Sequence, residues 1–378
     1  MKRILYITGS RSDYGKMKSI LKRLDKEKNI ELCIFICGMH LMSEYGDTYN
    51  NIVKDNFKKI YINKTQQYGK DMANNLAETI KSLNQYVKNR SVDLIIIHGD
   101  RIEALGGAIV GALNNILVCH FEGGEVSGTI DESMRHAISK LSHIHFVSNE
   151  MARKRLIQLG EKTNNIFIIG SPDIDVMMSN KLPQLNDVME KYGIKYKEYA
   201  ICIFHPVTTE LKRLKNDVEN LIKALIISQK NYLIIQPNND SGSEIIIESI
   251  KNNINNHIMY FKSIQFEDFL TLLKNANFII GNSSAGIYET GIFGVPSIDI
   301  GTRQNLRYDN SACDNIQHVP CEVERILEAI SSINKYRLVN FYFGRGDSCD
   351  KFVDIVRKKD FWSTDIQKSF IDQEISND

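Results

Sequence analysis

The feature that most constrains the fold of this 378-residue chain is an alternation that runs from end to end, in which short Ile/Val-rich runs are each followed by an amphipathic helical pattern. The runs at 3–8, 30–37, 92–97, 116–121, 143–147 and 166–169 read as parallel strands. A strand covered on both faces shows a continuous apolar run instead of a polar alternation. With helices between them, these strands predict a doubly wound α/β sheet. After Gly170-Ser171-Pro172-Asp173 the chain crosses a polar stretch at 178–198 containing Pro183, and the alternation restarts at 199–204, 232–236, 257–261, 278–281 and 297–300. A chain of 378 residues accommodates two domains at roughly 100 to 200 residues each. The expected architecture is two doubly wound, Rossmann-like α/β domains facing a ligand cleft, one spanning 1–170 and the other 171–349. From about Glu322 the pattern is helical, and a C-terminal helix within about 350–378, carrying the single tryptophan Trp362, is expected to cross back onto the first domain. The stretch 367–378 has little apolar surface and reads as partly frayed.

Charge removes several function classes. With 47 basic and 46 acidic residues the net charge is +1, so there is no basic field to hold nucleic acid or an anionic membrane. No apolar stretch approaches the roughly 20 residues of a membrane span, and MKRILYITGS runs directly into a strand. Neither a membrane span nor a signal peptide is expected, and a cytoplasmic location is. The seven cysteines lie scattered without a CxxC pair and read as reduced core residues, Cys33 and Cys37 sharing one face of an apolar strand. Cys119, His120, His143 and His145 occupy or flank strands without metal-ligand spacing. No metal and no cofactor are expected.

The chemistry concentrates at 98–136, HGDRIEALGGAIVGALNNILVCHFEGGEVSGTIDESMRH. Asp100 falls just past the carboxyl end of one strand and Glu122 at the end of the next, the places where open parallel sheets bind ligands. Asp131 opens the following helix, with Arg135 at i+4 able to reach back to it. Crowded carboxylates push their pKa values apart, which lets one site hold an acid and a base. The plainer use of Glu122 and Asp131 is to cap the next helix, but an isolated cap needs no Gly-Gly-Glu turn.

Two further segments suit an anion. The first strand ends in Gly9-Ser10-Arg11-Ser12-Asp13-Tyr14-Gly15, a glycine-bounded loop entering a helix and offering backbone N–H groups and Arg11. Neither GxGxxG nor GxxxxGK[ST] occurs, which argues against NAD chemistry and P-loop hydrolysis. Downstream, Gly281-Asn282-Ser283-Ser284-Ala285-Gly286-Ile287-Tyr288-Glu289 turns from a strand through small residues into a helix whose start suits a pyrophosphate. Glu289 is placed to accept hydrogen bonds from a ribose diol. His205, at a strand end in FHPVTTE, can reach the same anion, and Arg303 and Arg307 beyond the last strand add two cations.

Together, HGDRxEAL, EGGExSGTxDESxRHAxSKLSH, FHPVTTE, PNND, GNSSAGIYE and GVPSIDIGTRQ resemble the bacterial hydrolysing UDP-N-acetylglucosamine 2-epimerases that open sialic acid synthesis, over nearly the whole chain. The resemblance implies the fold of the two-domain, B-type glycosyltransferases, and conversion of UDP-N-acetylglucosamine and water to N-acetylmannosamine and UDP. It implies that Asp100, Glu122 and Asp131 are the catalytic carboxylates and that Arg11, His205, Ser283, Ser284, Gly286 and Glu289 hold UDP. By position it places Phe269 near the base, and Arg135 and Arg307 at the sugar or pyrophosphate. Non-hydrolysing relatives differ after the equivalent of Glu122, and EGGEVSGTIDES sides with the hydrolysing group. A homodimer or homotetramer is implied as well. The competing readings are a sister hydrolysing epimerase for a UDP-linked diacetamido trideoxy sugar or a GDP-linked sugar, a UDP-sugar glycosyltransferase, and a non-catalytic UDP-sugar sensor. Residues 308–320 match no pattern.

Overall fold

The computed structural model describes residues 1–64, 71–127, 130–179, 182–309 and 311–372. Among these residues the strands form two sheets whose neighbours all pair in parallel. The first contains β1 (Lys2–Thr8), β2 (Ile30–Ile36), β3 (Ile60–Ile62), β4 (Leu94–His98), β5 (Leu117–Phe121), β6 (Ile144–Val147) and β7 (Ile166–Ile168), in the order β3-β2-β1-β4-β5-β6-β7. The second contains β8 (Ala200–Ile203), β9 (Tyr232–Ile235), β10 (Ile258–Phe261), β11 (Ile279–Gly281), β12 (Ser297–Ile300) and β13 (Ile316–Val319), in the order β10-β9-β8-β11-β12-β13. Edge strands β3 and β13 are absent from the sequence reading. β3, Ile60-Tyr61-Ile62, is too short a run to mark a strand, and β13, Ile316-Gln317-His318-Val319, is interrupted by two polar residues.

Period-two alternation divides the first sheet's side chains between two cores. Tyr6, Ile34 and Ile96 point to the side where Met17, Ile20 and Leu24 of the helix Arg11–Leu24 pack. Leu5, Ile7, Phe35, Ile95 and Ile97 point to the other, against Leu83 and Val87 of the helix Met72–Lys88 and Ala108 of the helix Ile102–Leu113.

Contacts divide the chain into two compact units. One comprises Met1–Glu125, Asp131–Val176 and Phe343–Asp378, and the other Val126–Ile130 and Met177–Tyr342. The first unit is thus completed by the end of the chain. Phe352, fully buried on the helix Ser348–Val356, lies 5.4 Å from Phe121 and 4.8 Å from Phe146 between ring centroids. Trp362 donates its indole N–H to the Val356 carbonyl at 2.8 Å, and the Lys2 ammonium stands 4.8 Å over its ring. The terminal segment is more tightly held than its composition suggests, because Lys368 is bonded into the unit, while 373–378 lie outside the described residues.

Strand order then decides where ligands can bind. In the first sheet it reverses between β1 and β4, in the second between β8 and β11, and a crevice opens beyond the carboxyl ends of a parallel sheet where successive crossovers leave in opposite directions. The loops at those ends begin at Gly9 and Gly99 in the first unit and at Phe204 and Asn282 in the second.

Candidate active site

In the first unit the loop after β1 differs from the sequence expectation. Two of its N–H groups are taken within the loop: Gly9 and Ser10 both donate to Asp13 Oδ2 at 3.0 Å, and the Thr8 hydroxyl donates to Asp13 Oδ1. Ser10 and Asp13 form a reciprocal capping box on the helix Arg11–Leu24, a use that the S-x-x-D spacing encodes. Burial pushes the Asp13 carboxyl up to about 6, while the bonds from Thr8 and Gly9 hold it lower than burial alone would. The cation that the loop supplies is Arg11, half-buried at the first helical position.

One turn further, the same helix contributes a residue that the motif reading missed. Lys16, 3% exposed, places its Nζ 2.9 Å from Glu122 Oε1 and 4.0 Å from Asp173 Oδ2. The available signal was a lysine ending GSRSDYGK beside the apolar Tyr14, Met17 and Ile20. His98, quoted in HGDR but given no role, brings its Nε2 to 3.3 Å from the same Glu122 Oε1. Burial alone would lower the His98 pKa, but the Glu122 carboxylate more than offsets it, and the net direction is upward. Lys16 and His98 thus converge on one oxygen of Glu122.

Its backbone is strained. Glu122 has φ 64°, a left-handed conformation that costs a non-glycine residue about 1 kcal/mol or more, and such residues cluster where function requires them. The following turn depends on glycine: Gly124 has φ 76°, and a Cβ there would lie 2.1 Å from the Ala152 carbonyl oxygen.

Beside this group, Arg135 is fully buried on the helix Ile130–Leu141, donates to the Asp100 carboxylate, and holds the Glu125 carbonyl at 3.1 Å. The guanidinium thus engages Asp100, just past the end of β4. Asp131 lies in the first turn of the same helix, 8% exposed. The four residues once weighed as metal ligands have other contacts: the His120 ring bonds Gly99 O and Ser139 Oγ, His143 accepts from Val118 N–H and lies 2.8 Å from Ile366 O, His145 meets Glu161, and Cys119 is buried in β5. Among the described residues no group of three or more His, Cys, Asp or Glu could hold a metal ion.

In the second unit the loops after β8 and β11 are laced together. His205 N–H donates to Asn282 Oδ1 at 2.6 Å, and Asn282 Nδ2 returns a bond to the His205 carbonyl at 2.9 Å. The Asn238 N–H donates to His205 Nδ1 at 3.1 Å, so in the neutral ring the proton sits on Nε2, which is then a donor. Gly281 permits the approach of the two strands: its φ is 135°, and a Cβ would lie 2.0 Å from the Ile203 oxygen.

The helix expected after Ser284 is a single turn. It runs only Ala285–Tyr288, and Ser284 makes no side-chain cap, so the macrodipole behind that turn is small. Ser283 and Ser284 are half-buried, whereas Gly286 and Glu289 are buried. Gly286 packs under the turn, where a Cβ would lie 2.7 Å from Ser297 Oγ. Arg303 and Gln304 donate to the Asn282 carbonyl at 3.3 and 2.8 Å. Arg307 donates to the Tyr288 hydroxyl at 3.3 Å and to Gln304 Oε1 at 3.1 Å, with its guanidinium over the Tyr288 ring. These arginines brace the loop from beneath. Phe269 is 5% exposed on the helix Phe266–Lys274. The unmatched stretch 308–320 is anchored on buried Asp299, which accepts from the Tyr308 hydroxyl at 3.2 Å and pairs with His318 Nδ1 at 3.0 Å.

Two Rossmann-like parallel units with polar loops at their switch points define a protein of the B-type glycosyltransferase fold class. The solved UDP-GlcNAc 2-epimerase from Neisseria meningitidis bound to UDP-GlcNAc has the same fold, with a TM-score of 0.79 and 17% identity, covering 94% of this chain and 99% of that one. The family model for UDP-N-acetylglucosamine 2-epimerase matches residues 22–357. The UDP-N-acetylglucosamine 2-epimerase of N. meningitidis serogroup B is 45% identical, over 98% of this chain and 99% of its own length. The UDP-N,N'-diacetylbacillosamine 2-epimerase (hydrolyzing) of Legionella pneumophila is 35% identical over 89% and 90%. The chain belongs to the UDP-N-acetylglucosamine 2-epimerase family.

Proposed function

We propose that this enzyme is the hydrolysing type of UDP-N-acetylglucosamine 2-epimerase, converting UDP-N-acetylglucosamine and water to N-acetylmannosamine and UDP, the product that opens sialic acid synthesis. The observation that carries the reading is Glu122, held in a left-handed turn with Lys16 and His98 on one carboxylate oxygen, one strand away from the Asp100–Arg135 pair. A UDP-sugar transferase or a sensor has no use for so elaborate a set of buried acids. The 35% identical hydrolysing relative and the EGGEVSGTIDES stretch support hydrolysis over simple epimerisation.

In this reading Arg11, His205, Ser283, Ser284, Gly286 and Glu289 hold UDP, with Phe269 near the base and Arg307 at the pyrophosphate. The C2 hydrogen of the sugar is not acidic, so the C1–O bond to UDP must break first or in concert with its removal. Preorganised donors to the departing pyrophosphate contribute about 100-fold or more each in comparable sites. A carboxylate takes the C2 proton as the C1–C2 double bond forms, giving a 2-acetamidoglucal. Water then adds its hydroxyl to C1, and a proton returns to C2 from the opposite face. Delivery from two faces calls for an acid and a base on different sides of the ring. Glu122 and Asp131 share these transfers, and Asp100, oriented by Arg135, supports departure of UDP or hydration.

The Legionella relative supports one second reading, the same chemistry on a UDP-linked diacetamido sugar. Proton NMR in deuterated water separates them. UDP released together with N-acetylmannosamine deuterated at C2 supports the proposal. Turnover of the diacetamido substrate alone moves the enzyme to the sister reaction, and UDP-N-acetylmannosamine as the end product makes it non-hydrolysing.

A further inference from the structure

Far from the reacting carboxylates in sequence, the C-terminal segment 365–371 is tied to the first unit by polar contacts that a frayed tail would lack. Lys368 Nζ reaches Glu161 Oε2 at 2.5 Å, Ser139 O at 3.2 Å and Ser142 O. Glu161 is 3% exposed and is also met by His145 at 3.0 Å and Lys140 at 2.9 Å. Just before Lys368, the Ile366 carbonyl lies 2.8 Å from His143 Nε2, and Lys162 pairs with Asp365 at 3.3 Å. An ammonium on the last carbonyls of the helix Ile130–Leu141 complements the negative end of its dipole. That helix carries Asp131 and Arg135 in its earlier turns.

The contacts continue inward. The Ser139 hydroxyl is 3.1 Å from His120 Nδ1, and His120 Nε2 is 2.8 Å from the Gly99 carbonyl. A carbonyl can only accept, so Nε2 carries the proton and Nδ1 accepts from Ser139. Burial brings the His120 pKa down to about 3, which keeps the ring neutral in that tautomer. Gly99, itself at φ 74°, immediately precedes Asp100, and its N–H is held by the Phe121 carbonyl at 3.1 Å next to Glu122. Three successive polar contacts therefore join Lys368 to the backbone that presents Asp100.

We propose that the 365–371 segment is a strap, and that Lys368 is a positioning residue that fixes the Gly99–Asp100 turn through Ser139 and His120. This rests on the proposed reaction only for its kinetic readout. A displacement of about 1 Å at a reacting group costs up to about 100-fold in rate, and loosening one end of a three-bond chain is expected to cost about 10-fold.

The test is hydrogen exchange and kinetics on the full chain with Lys368→Met, Lys368→Arg and Ser139→Ala. The strap predicts that the Gly99 amide exchanges about 10-fold faster in Lys368→Met and in Ser139→Ala, while amides in β1 and β2 keep their protection. It predicts a fall of about 10-fold in kcat with KM within about two-fold, recovery of most of the rate in Lys368→Arg, and a Lys368→Met/Ser139→Ala double variant no slower than the worse single. If Lys368→Met fails to fold, Ser139→Ala carries the same readouts. Unchanged Gly99 exchange in the folded variants overturns the strap. Wild-type protein that turns over no nucleotide sugar overturns the proposed reaction, and leaves the exchange result to decide the strap by itself.

Discussion

Lys16 and Glu122, 106 residues apart in the chain, form an ion pair at 2.9 Å in which the two side chains are only 4% and 8% exposed. Removing one partner of such a pair strands the other charge and costs about 3 kcal/mol or more. Lys16→Met is expected to lower stability by about that amount in urea denaturation. Adding Glu122→Gln should return part of the loss, because the stranded carboxylate is gone. Strictly additive losses would show that the two side chains do not depend on one another.

Glu122→Gln alone keeps the shape of the loop and removes the acid. If Glu122 transfers a proton in the reaction, kcat for UDP release should fall by about 100-fold or more with the circular dichroism spectrum unchanged. A variant within about three-fold of wild type would take Glu122 out of the chemistry.

The His98 pairing gives stability a pH dependence of definite sign. Its pKa is raised in the folded state by Glu122, so its stabilising contribution is complete below the ordinary value of 6.5 and is lost as pH rises through the raised folded value. Urea midpoints from about pH 6 to about pH 9 should therefore show wild type losing its advantage over His98→Asn on the alkaline side. A difference between the two proteins that stays constant across this range refutes the ion pair.

Gly124→Ala tests the turn that presents Glu122. The left-handed φ and the 2.1 Å approach to the Ala152 carbonyl cannot both survive a Cβ. A loss of about 2 kcal/mol or more is expected in the melting transition, with activity falling further than stability because Glu122 is two residues away.

In the second unit His205 Nε2–H is a donor whose ring is fixed by the Asn238 N–H. Hydrogen bonds to charged groups contribute about 1.5–3 kcal/mol. His205→Ala should weaken UDP binding by about 10- to 100-fold in titration calorimetry. Unaltered affinity would remove His205 from the nucleotide site.

Much of the architecture was legible because buried parallel strands leave short apolar runs, rich in β-branched residues, that alternate regularly with amphipathic helical patterns. Asp100, Glu122, His205 and Asn282 follow directly from this, since each stands at or just past a strand's carboxyl end. Lys16 did not, because helical position alone does not say which charged residue turns inward, and its partner is 106 residues distant. The role of Asp13 was not legible for a related reason: it takes the Gly9 and Ser10 N–H groups, and capping and ligand binding share one sequence signal. The brevity of the helix after Ser284 was not legible, because Ala285-Gly286-Ile287-Tyr288-Glu289 offers no stop signal before Gly291. The stacking of Arg307 on Tyr288 was not legible, because a contact between a guanidinium and an aromatic ring leaves no periodic trace.

The layer of Phe121, Phe146 and Phe352 has a consequence for the chain's birth on the ribosome. The N-terminal strands emerge first, yet their core lacks Phe352 and Phe361 until nearly the whole polypeptide has been synthesised. Most of the second unit, Met177–Tyr342, is one uninterrupted stretch and has all of that stretch's strands available sooner. The first unit can therefore complete this core only after the 177–342 stretch of the second has been made. A nascent chain stalled before residue 343 leaves the Phe121 and Phe146 rings without Phe352, and so holds an aromatic face that the finished fold covers.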